Sequence, residues 1–154
     1  MIDKVTELTP GEKISAVKSL SLAEEYLADH FPEFPVLPGV LMIEALVQAA
    51  AMLVGVTQNF SHSMVVLREA RNVKYKSFVK PGNLLRLSVN AKRIEEKESS
   101  FVGSARVEEQ EMVSARFTLR HFNLAEEDET RAGLDEQIRQ ELKKRALLTG
   151  VLSL

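Results

Sequence analysis

The sequence predicts an α+β fold in which one antiparallel sheet wraps around a single apolar helix, with a helical extension at the C-terminal end. Three observations carry that expectation. Between Val40 and Val56 every residue is apolar or Gly except Glu44 and Gln48. Four segments rich in Val, Leu and Phe follow, joined by hairpin-like connections. Beyond Phe122 the chain turns acidic and then resumes a helical pattern. At 154 residues it has the length of one domain, and a domain of that size buries about 70% of its unfolded surface.

Two short strands are expected first, Asp3 to Glu7 and Lys13 to Leu20, joined as a hairpin by the turn residues Thr9-Pro10-Gly11. Ser21 is placed to cap a short helical turn running to Tyr26, and a loop from Asp29 to Gly39 carries Pro32, Pro35 and Pro38. The apolar helix comes next. Its length is at the lower edge of a bilayer span, yet Pro35, Pro38 and Gly39 before it and Thr57-Gln58-Asn59 after it are poor membrane flanks. A carboxylate inside so short a span would be expensive in lipid, so the helix is read as the centre of a soluble core.

The four strand segments are Met64 to Phe78, Leu84 to Glu95, Ser99 to Glu109 and Met112 to Phe122. Val102, Ser104, Arg106 and Glu108 interleave with Phe101, Gly103, Ala105 and Val107, which predicts one wet and one dry face. Pro81-Gly82-Asn83 is a turn, and Glu95-Glu96-Lys97-Glu98 suits a hairpin tip. Glu126-Glu127-Asp128-Glu129 reads as a solvated linker before an amphipathic helix from about Leu134 to Leu148, with Leu134, Ile138, Leu142 and Leu147 as its stripe. The division expected is residues 1–122 as the principal domain and 123–154 as linker and C-terminal helix.

Composition narrows the partners. With 20 Lys and Arg against 22 Asp and Glu, the net charge of −2 supplies no global field toward nucleic acid or an anionic membrane. The absence of cysteine removes disulfides, thiolate nucleophiles and thiolate metal sites. Met1-Ile2-Asp3-Lys4 lacks an apolar signal core, so a soluble cytoplasmic protein is expected.

The chemistry concentrates between His30 and Gln48. His30 is the side chain best suited to take or give a proton at neutral pH. Glu44 lies within the apolar helix, where burial would raise its pKa and make it a proton donor. Gln48 is one turn further along the same face and within reach of that carboxyl group. The prolines stiffen the loop that carries His30, and Gly39 offers a backbone N–H at the positive end of the helix. Taken alone, a histidine beside an apolar helix is more often structural than catalytic; the bland alternative for Glu44 is a salt bridge at a subunit interface, and for Gln48, the weaker of the two candidates, an ordinary hydrogen-bonded core amide. His62 and His121 are read as structural or solvated.

His30-Phe31-Pro32, Pro35, Pro38-Gly39-Val40, Glu44-Ala45 and Gln48 together resemble the signature of the FabZ-type 3-hydroxyacyl-acyl carrier protein dehydratases, H-F-P-x-x-P-x-x-P-G-V-x-x-x-E-A with a glutamine three residues on. Coincidence at so many fixed positions is remote, since Pro and Gly are minor components of ordinary sequence. The resemblance runs from Ile2 to about Phe122 and includes Arg71 to Gly82. Asp29, Glu33 and Phe34 depart from the family's usual residues.

The resemblance implies a hot-dog fold and a homodimer, or a dimer-based higher oligomer, with sites at the subunit interface. It implies dehydration of (3R)-hydroxyacyl-acyl carrier protein thioesters to trans-2-enoyl thioesters in fatty acid biosynthesis, with acyl carrier protein as the partner that brings the substrate. His30 would remove the alpha proton, and Glu44 of the partner subunit would protonate the departing hydroxyl. Gly39 N–H would polarise the thioester carbonyl, with Val40, Gln48 and Phe31 as substrate-binding neighbours. No metal or other cofactor is implied. The competing expectations are a hot-dog acyl thioesterase and a non-catalytic acyl-binding scaffold. The basic residues Arg68, Arg71, Lys74, Lys76, Lys80, Arg86, Lys92 and Arg93 include candidates for docking an acidic carrier.

Overall fold

The computed structural model describes residues 2–20 and 39–150. The turn at Ser21 to Tyr26, the proline loop, His30 and Phe31 lie outside the described residues. Strands β1 (Lys4–Thr9) and β2 (Lys13–Ser19) come first, followed by helix α1 (Gly39–Thr57). Strands β3 (Met64–Tyr75), β4 (Leu84–Ile94), β5 (Glu98–Val107) and β6 (Gln110–Phe122) follow, and helix α2 (Ala132–Leu148) ends the described chain. The six strands form one antiparallel sheet in the order β1-β2-β4-β5-β6-β3. With α1 packed in its concave face, this is the hot-dog arrangement.

The turns fall where backbone chemistry allows them. Gly11, at φ 76°, turns the chain from β1 into β2, and Gly82, at φ 88°, reverses it before β4. The tip between β4 and β5 is closed by Glu95 N–H donating to the Glu98 carbonyl at 2.8 Å. On β5, Ser99, Phe101, Gly103 and Ala105 are buried in alternation with less buried neighbours, as the period-two pattern requires.

Helix α1 buries Met42, Ile43, Ala45, Leu46, Val47, Ala49, Ala50, Leu53 and Val54. Ile14, Leu85, Leu87, Val89, Phe101, Phe117 and Leu119 meet it from the sheet side of the core. Each fully buried Leu or Phe contributes roughly 1.5–3 kcal/mol, so this layer is the main source of stability. Gly103 lets helix and sheet close up, because a Cβ there would lie 3.2 Å from the Phe117 ring and 3.4 Å from Leu46. By length and composition α1 is apolar enough to cross a membrane, but half of it is buried inside this fold.

Three details differ from the sequence expectation. β3 ends at Tyr75 rather than Phe78, and bulges between Leu67 and Glu69 and between Arg71 and Lys74 interrupt it. Asn72, at φ 51°, occupies the second bulge, where a short amide side chain tolerates the left-handed region. The acidic run is structured rather than a plain solvated linker. It forms two 3-10 turns, Leu124–Glu126 and Glu129–Arg131, with Glu126 accepting from Asn123 N–H at 2.5 Å and Asp128 from Thr130 N–H at 3.1 Å.

The third difference is the inner face of α2. Leu134 and Leu147 are 46% and 61% exposed, whereas Asp135 and Ala146 are buried and Leu142 packs against the core. Asp135, Leu142, Ala146 and Thr149 recur at helical spacing. Sequence pattern misses this face because its first member is a carboxylate, a residue rarely buried without partners.

Candidate active site

Helix α1 is covered by the sheet on one side only. Val40 is 70% exposed, Glu44 is exposed, and Gln48, Ala51, Met52 and Gly55 are half-buried along the same stripe. The chain therefore does not bury Glu44 among apolar side chains, contrary to the sequence expectation. A helix that is apolar almost all round still leaves one stripe open when only one sheet packs on it. Gln48 Nε2 donates to Glu44 Oε1 at 3.4 Å, a long contact across one helical turn.

A cavity of about 300 Å³ opens along this stripe. Glu44 and Gln48 line it, together with Ala51, Met52 and Gly55 of α1. Phe60, His62, Ser63 and the first residues of β3, Met64 to Val66, supply a second wall, and Leu142, Arg145 and Thr149 supply a third. Apart from Glu44 and Gln48, the α1 side of the cavity is apolar, a setting suited to a hydrocarbon tail with its polar end near the carboxylate. Gly39 and Val40 stand before this lining at the start of the same helix.

Two neighbouring features were not legible as site elements. Tyr75, at the end of β3, lies against Gly39, where an added Cβ would come within 2.7 Å of the ring. The glycine thus serves close approach of a side chain to the helix start. His62 lines the cavity, with its Nδ1 3.1 Å from both Gln58 Oε1 and Ser61 Oγ. Gln58 itself donates to the Glu95 carbonyl at 2.7 Å, which ties the end of α1 to the β4–β5 tip.

His121 is buried 5.9 Å from His62, ring centre to ring centre. Its Nδ1 lies 3.1 Å from the Glu96 carbonyl, which only accepts, so Nδ1 carries the proton. Nε2 then accepts from the Ser99 hydroxyl at 2.6 Å. Burial pushes its pKa below the ordinary imidazole value, and the nearby His62 adds to that. His121 is thus a structural residue behind the cavity wall.

Several residues of the basic cluster form surface ion pairs. Arg68 pairs with Glu98, Arg71 with Glu69, Lys76 with Glu111 and Arg93 with Glu95. Such exposed pairs contribute about 0–1 kcal/mol each. Among the described residues no group of three His, Asp or Glu is placed to hold a metal ion.

The 3-hydroxyacyl-[acyl-carrier-protein] dehydratase FabZ of Lactobacillus helveticus is 37% identical over 117 residues, 76% of this chain and 79% of its own length. The FabZ of Ruminiclostridium cellulolyticum is 44% identical over 87 residues, 56% of this chain and 61% of its own. Among solved structures, the dehydratase heterocomplex ApeI:P of Xenorhabdus doucetiae superposes with a TM-score of 0.72 at 19% identity, covering 85% of this chain and 88% of that one. A thioesterase of Haemophilus influenzae superposes with a TM-score of 0.59 at 15% identity, covering 78% of each chain. Identities this low speak for the fold alone. The FabA-like domain family, however, matches residues 1–116, which span β1 through most of β6 and include the whole of α1, and the chain belongs to that family.

Proposed function

We propose that this protein dehydrates (3R)-hydroxyacyl thioesters carried on acyl carrier protein, giving trans-2-enoyl thioesters in fatty acid biosynthesis. The observation that carries the reading is the position of Glu44. It is the one carboxylate on a helix whose other residues are apolar or Gly except Gln48 and the terminal Thr57, and it stands at a cavity lined by Ala51, Met52 and Phe60 in a member of the FabA-like family. Relatives 35–44% identical are named as 3-hydroxyacyl-acyl carrier protein dehydratases.

In this reading His30 takes the alpha proton of the thioester, and the electron pair of that C–H bond forms the new double bond. The bond from the beta carbon to its hydroxyl breaks, and Glu44 of the partner subunit gives the leaving oxygen a proton, so that it departs as water. His30 and Glu44 end with one proton gained and one lost, and exchange with water resets them. Gly39 N–H, at the positive end of α1, stabilises the charge that develops on the thioester oxygen. Gln48 holds the Glu44 carboxylate, and Val40 and Phe31 border the reacting carbons.

The working unit is a homodimer, or an assembly of dimers. Among the described residues β3 ends the sheet with one edge unpaired by a strand, and an open edge of 12 residues is a template for pairing with another chain. Lys74 on β3 offers a cation to an acidic carrier, and Arg71 and Lys76 beside it would have to exchange their partners Glu69 and Glu111 for the carrier's carboxylates. Residues 1–122 carry the reaction and 123–154 form an appended segment, in a soluble protein of the cytoplasm.

The test is incubation with (3R)-3-hydroxyacyl carrier protein while enoyl absorbance and free thiol are followed. Enoyl formation without thiol release is expected. Thiol release without enoyl would make the protein a thioesterase, and tight acyl binding with neither product would make it a scaffold.

A further inference from the structure

Helix α2 lies wholly beyond the residues that match the family, yet it is built into the wall of the cavity that Glu44 lines. Its attachment is specific. Val5 N–H donates to the Thr149 carbonyl at 2.9 Å, Ala146 is fully buried, and the Thr149 hydroxyl lies 3.5 Å from Met52 Sδ on α1. Leu142 and Thr149, two turns apart on one face of the α2 region, line the cavity together with Met52. Along α1, Glu44 and Met52 are eight positions apart, so at 1.5 Å per residue the carboxylate and this contact are separated by roughly 12 Å. That separation suits an acyl chain of medium length lying along the helix.

We propose that α2 closes the far end of the acyl pocket, with Leu142 and Met52 as the stop that sets substrate chain length. The proposal rests on the dehydratase reading for its substrate, and concerns the end of the pocket where α2, beyond the matched residues 1–116, meets Met52 of α1. The occupant is the apolar tail of the acyl thioester. Its beta carbon lies near Glu44, and its last carbons meet Leu142. Leu142 and Met52 are only partly buried, so their size is adjustable without opening the core.

The test uses the full chain and a series of (3R)-3-hydroxyacyl pantetheine thioesters from four to sixteen carbons. Enoyl formation is followed for turnover, and calorimetry with the matching saturated thioesters for binding. Leu142→Ala and Met52→Ala should move the preferred length upward, and Leu142→Trp should move it down. A changed methylene fit is worth about 10–200-fold, so the ratio of kcat/KM between long and short substrates should shift at least tenfold. Leu147→Ala, on the exposed side of α2, should leave the profile unchanged. If Leu142→Trp disturbs folding, Met52→Phe narrows the same end from α1.

Turnover whose length profile is the same in all folded variants would overturn the proposal and leave the dehydratase reading standing. Length-dependent binding that follows Leu142 with no enoyl formed would support the pocket wall while removing the reaction. Neither turnover nor binding that follows Leu142 would overturn both.

Discussion

The ring of Tyr75 sits so close to Gly39 that a Cβ built there would stand 2.7 Å from Tyr75 Cε1 and 3.2 Å from Cζ. Alanine is ordinarily the better helix former, by roughly 0.5–1 kcal/mol over glycine in a helix interior. Here the clash reverses the sign. Because the Tyr75 side chain is half exposed and able to swing aside, Gly39→Ala should cost only about 1 kcal/mol, the low end for overpacking. In a Tyr75→Ala background the same substitution should become neutral or stabilising. Urea unfolding of the four proteins measures this, and a stabilising Gly39→Ala in the wild-type background would contradict the contact.

Glu44 separates chemistry from stability. Its side chain is exposed on the open stripe of α1, so Glu44→Gln should leave the unfolding free energy within about 0.5 kcal/mol of wild type. Loss of the acid should lower kcat by about 10²–10⁴-fold, the usual span for one acid–base group. Gln48 makes a single long hydrogen bond to that carboxylate, and bonds of this kind contribute about 0.5–1.5 kcal/mol. Gln48→Ala should therefore slow turnover by about tenfold at most. Steady-state rates alongside denaturant curves check both, and a Glu44→Gln protein with wild-type rates would remove the carboxylate from the mechanism.

How far the sequence foretells these features depends on whether a residue's role is local. The strands and α1 were legible because alternation and an unbroken apolar run are local patterns, and each of β4, β5 and β6 begins and ends within two residues of its expected bounds. Glu44 and Gln48 stood out as polar residues inside that run. Their exposure did not, because composition cannot say that the sheet covers one side of the helix only. Tyr75 against Gly39 and Leu142 against the cavity are pairings between residues 36 and about 100 positions apart along the chain, and neither leaves a trace in local pattern. Asp135 was hidden for a different reason. A buried carboxylate is recognisable only once its donors are known, and they come from Ser63, Leu124 and Ala125.

His121 gives the fold a pH dependence of known sign. Burial holds its pKa below the ordinary value of 6.5, so the folded protein binds a proton there less readily than the unfolded chain. Its stabilising effect is fully present above that ordinary value and is lost as pH falls through the folded pKa. One proton limits the slope to about 1.4 kcal/mol per pH unit. Stability measured from pH 7 down to 5 should decline, and His121→Gln should flatten the decline while lowering stability at pH 7, where the Ser99 and Glu96 contacts are impaired. An unchanged slope in His121→Gln would assign the dependence to other groups.

Asp135 anchors α2, and its protonation should release that helix first. Burial alone would raise its pKa, but the Ser63 hydroxyl at 2.5 Å and the N–H groups of Ala125 and Leu124 at 2.9 and 2.8 Å hold it below the usual carboxylate range. A lowered folded pKa means that the anchor is intact above the ordinary carboxylate pKa and weakens as pH falls toward the folded value. Asp135→Asn mimics the uncharged state at neutral pH, because an amide keeps one acceptor oxygen and sets an NH2 group against donors. Amide exchange in α2 should then quicken while the amides of β5 and β6, deep in the sheet, keep their protection. The wild-type protein should show the same order of opening as it is acidified. Equal exchange in α2 of wild type and Asp135→Asn would mean that Ala146 and the Thr149 contact to Val5 hold the helix without the carboxylate.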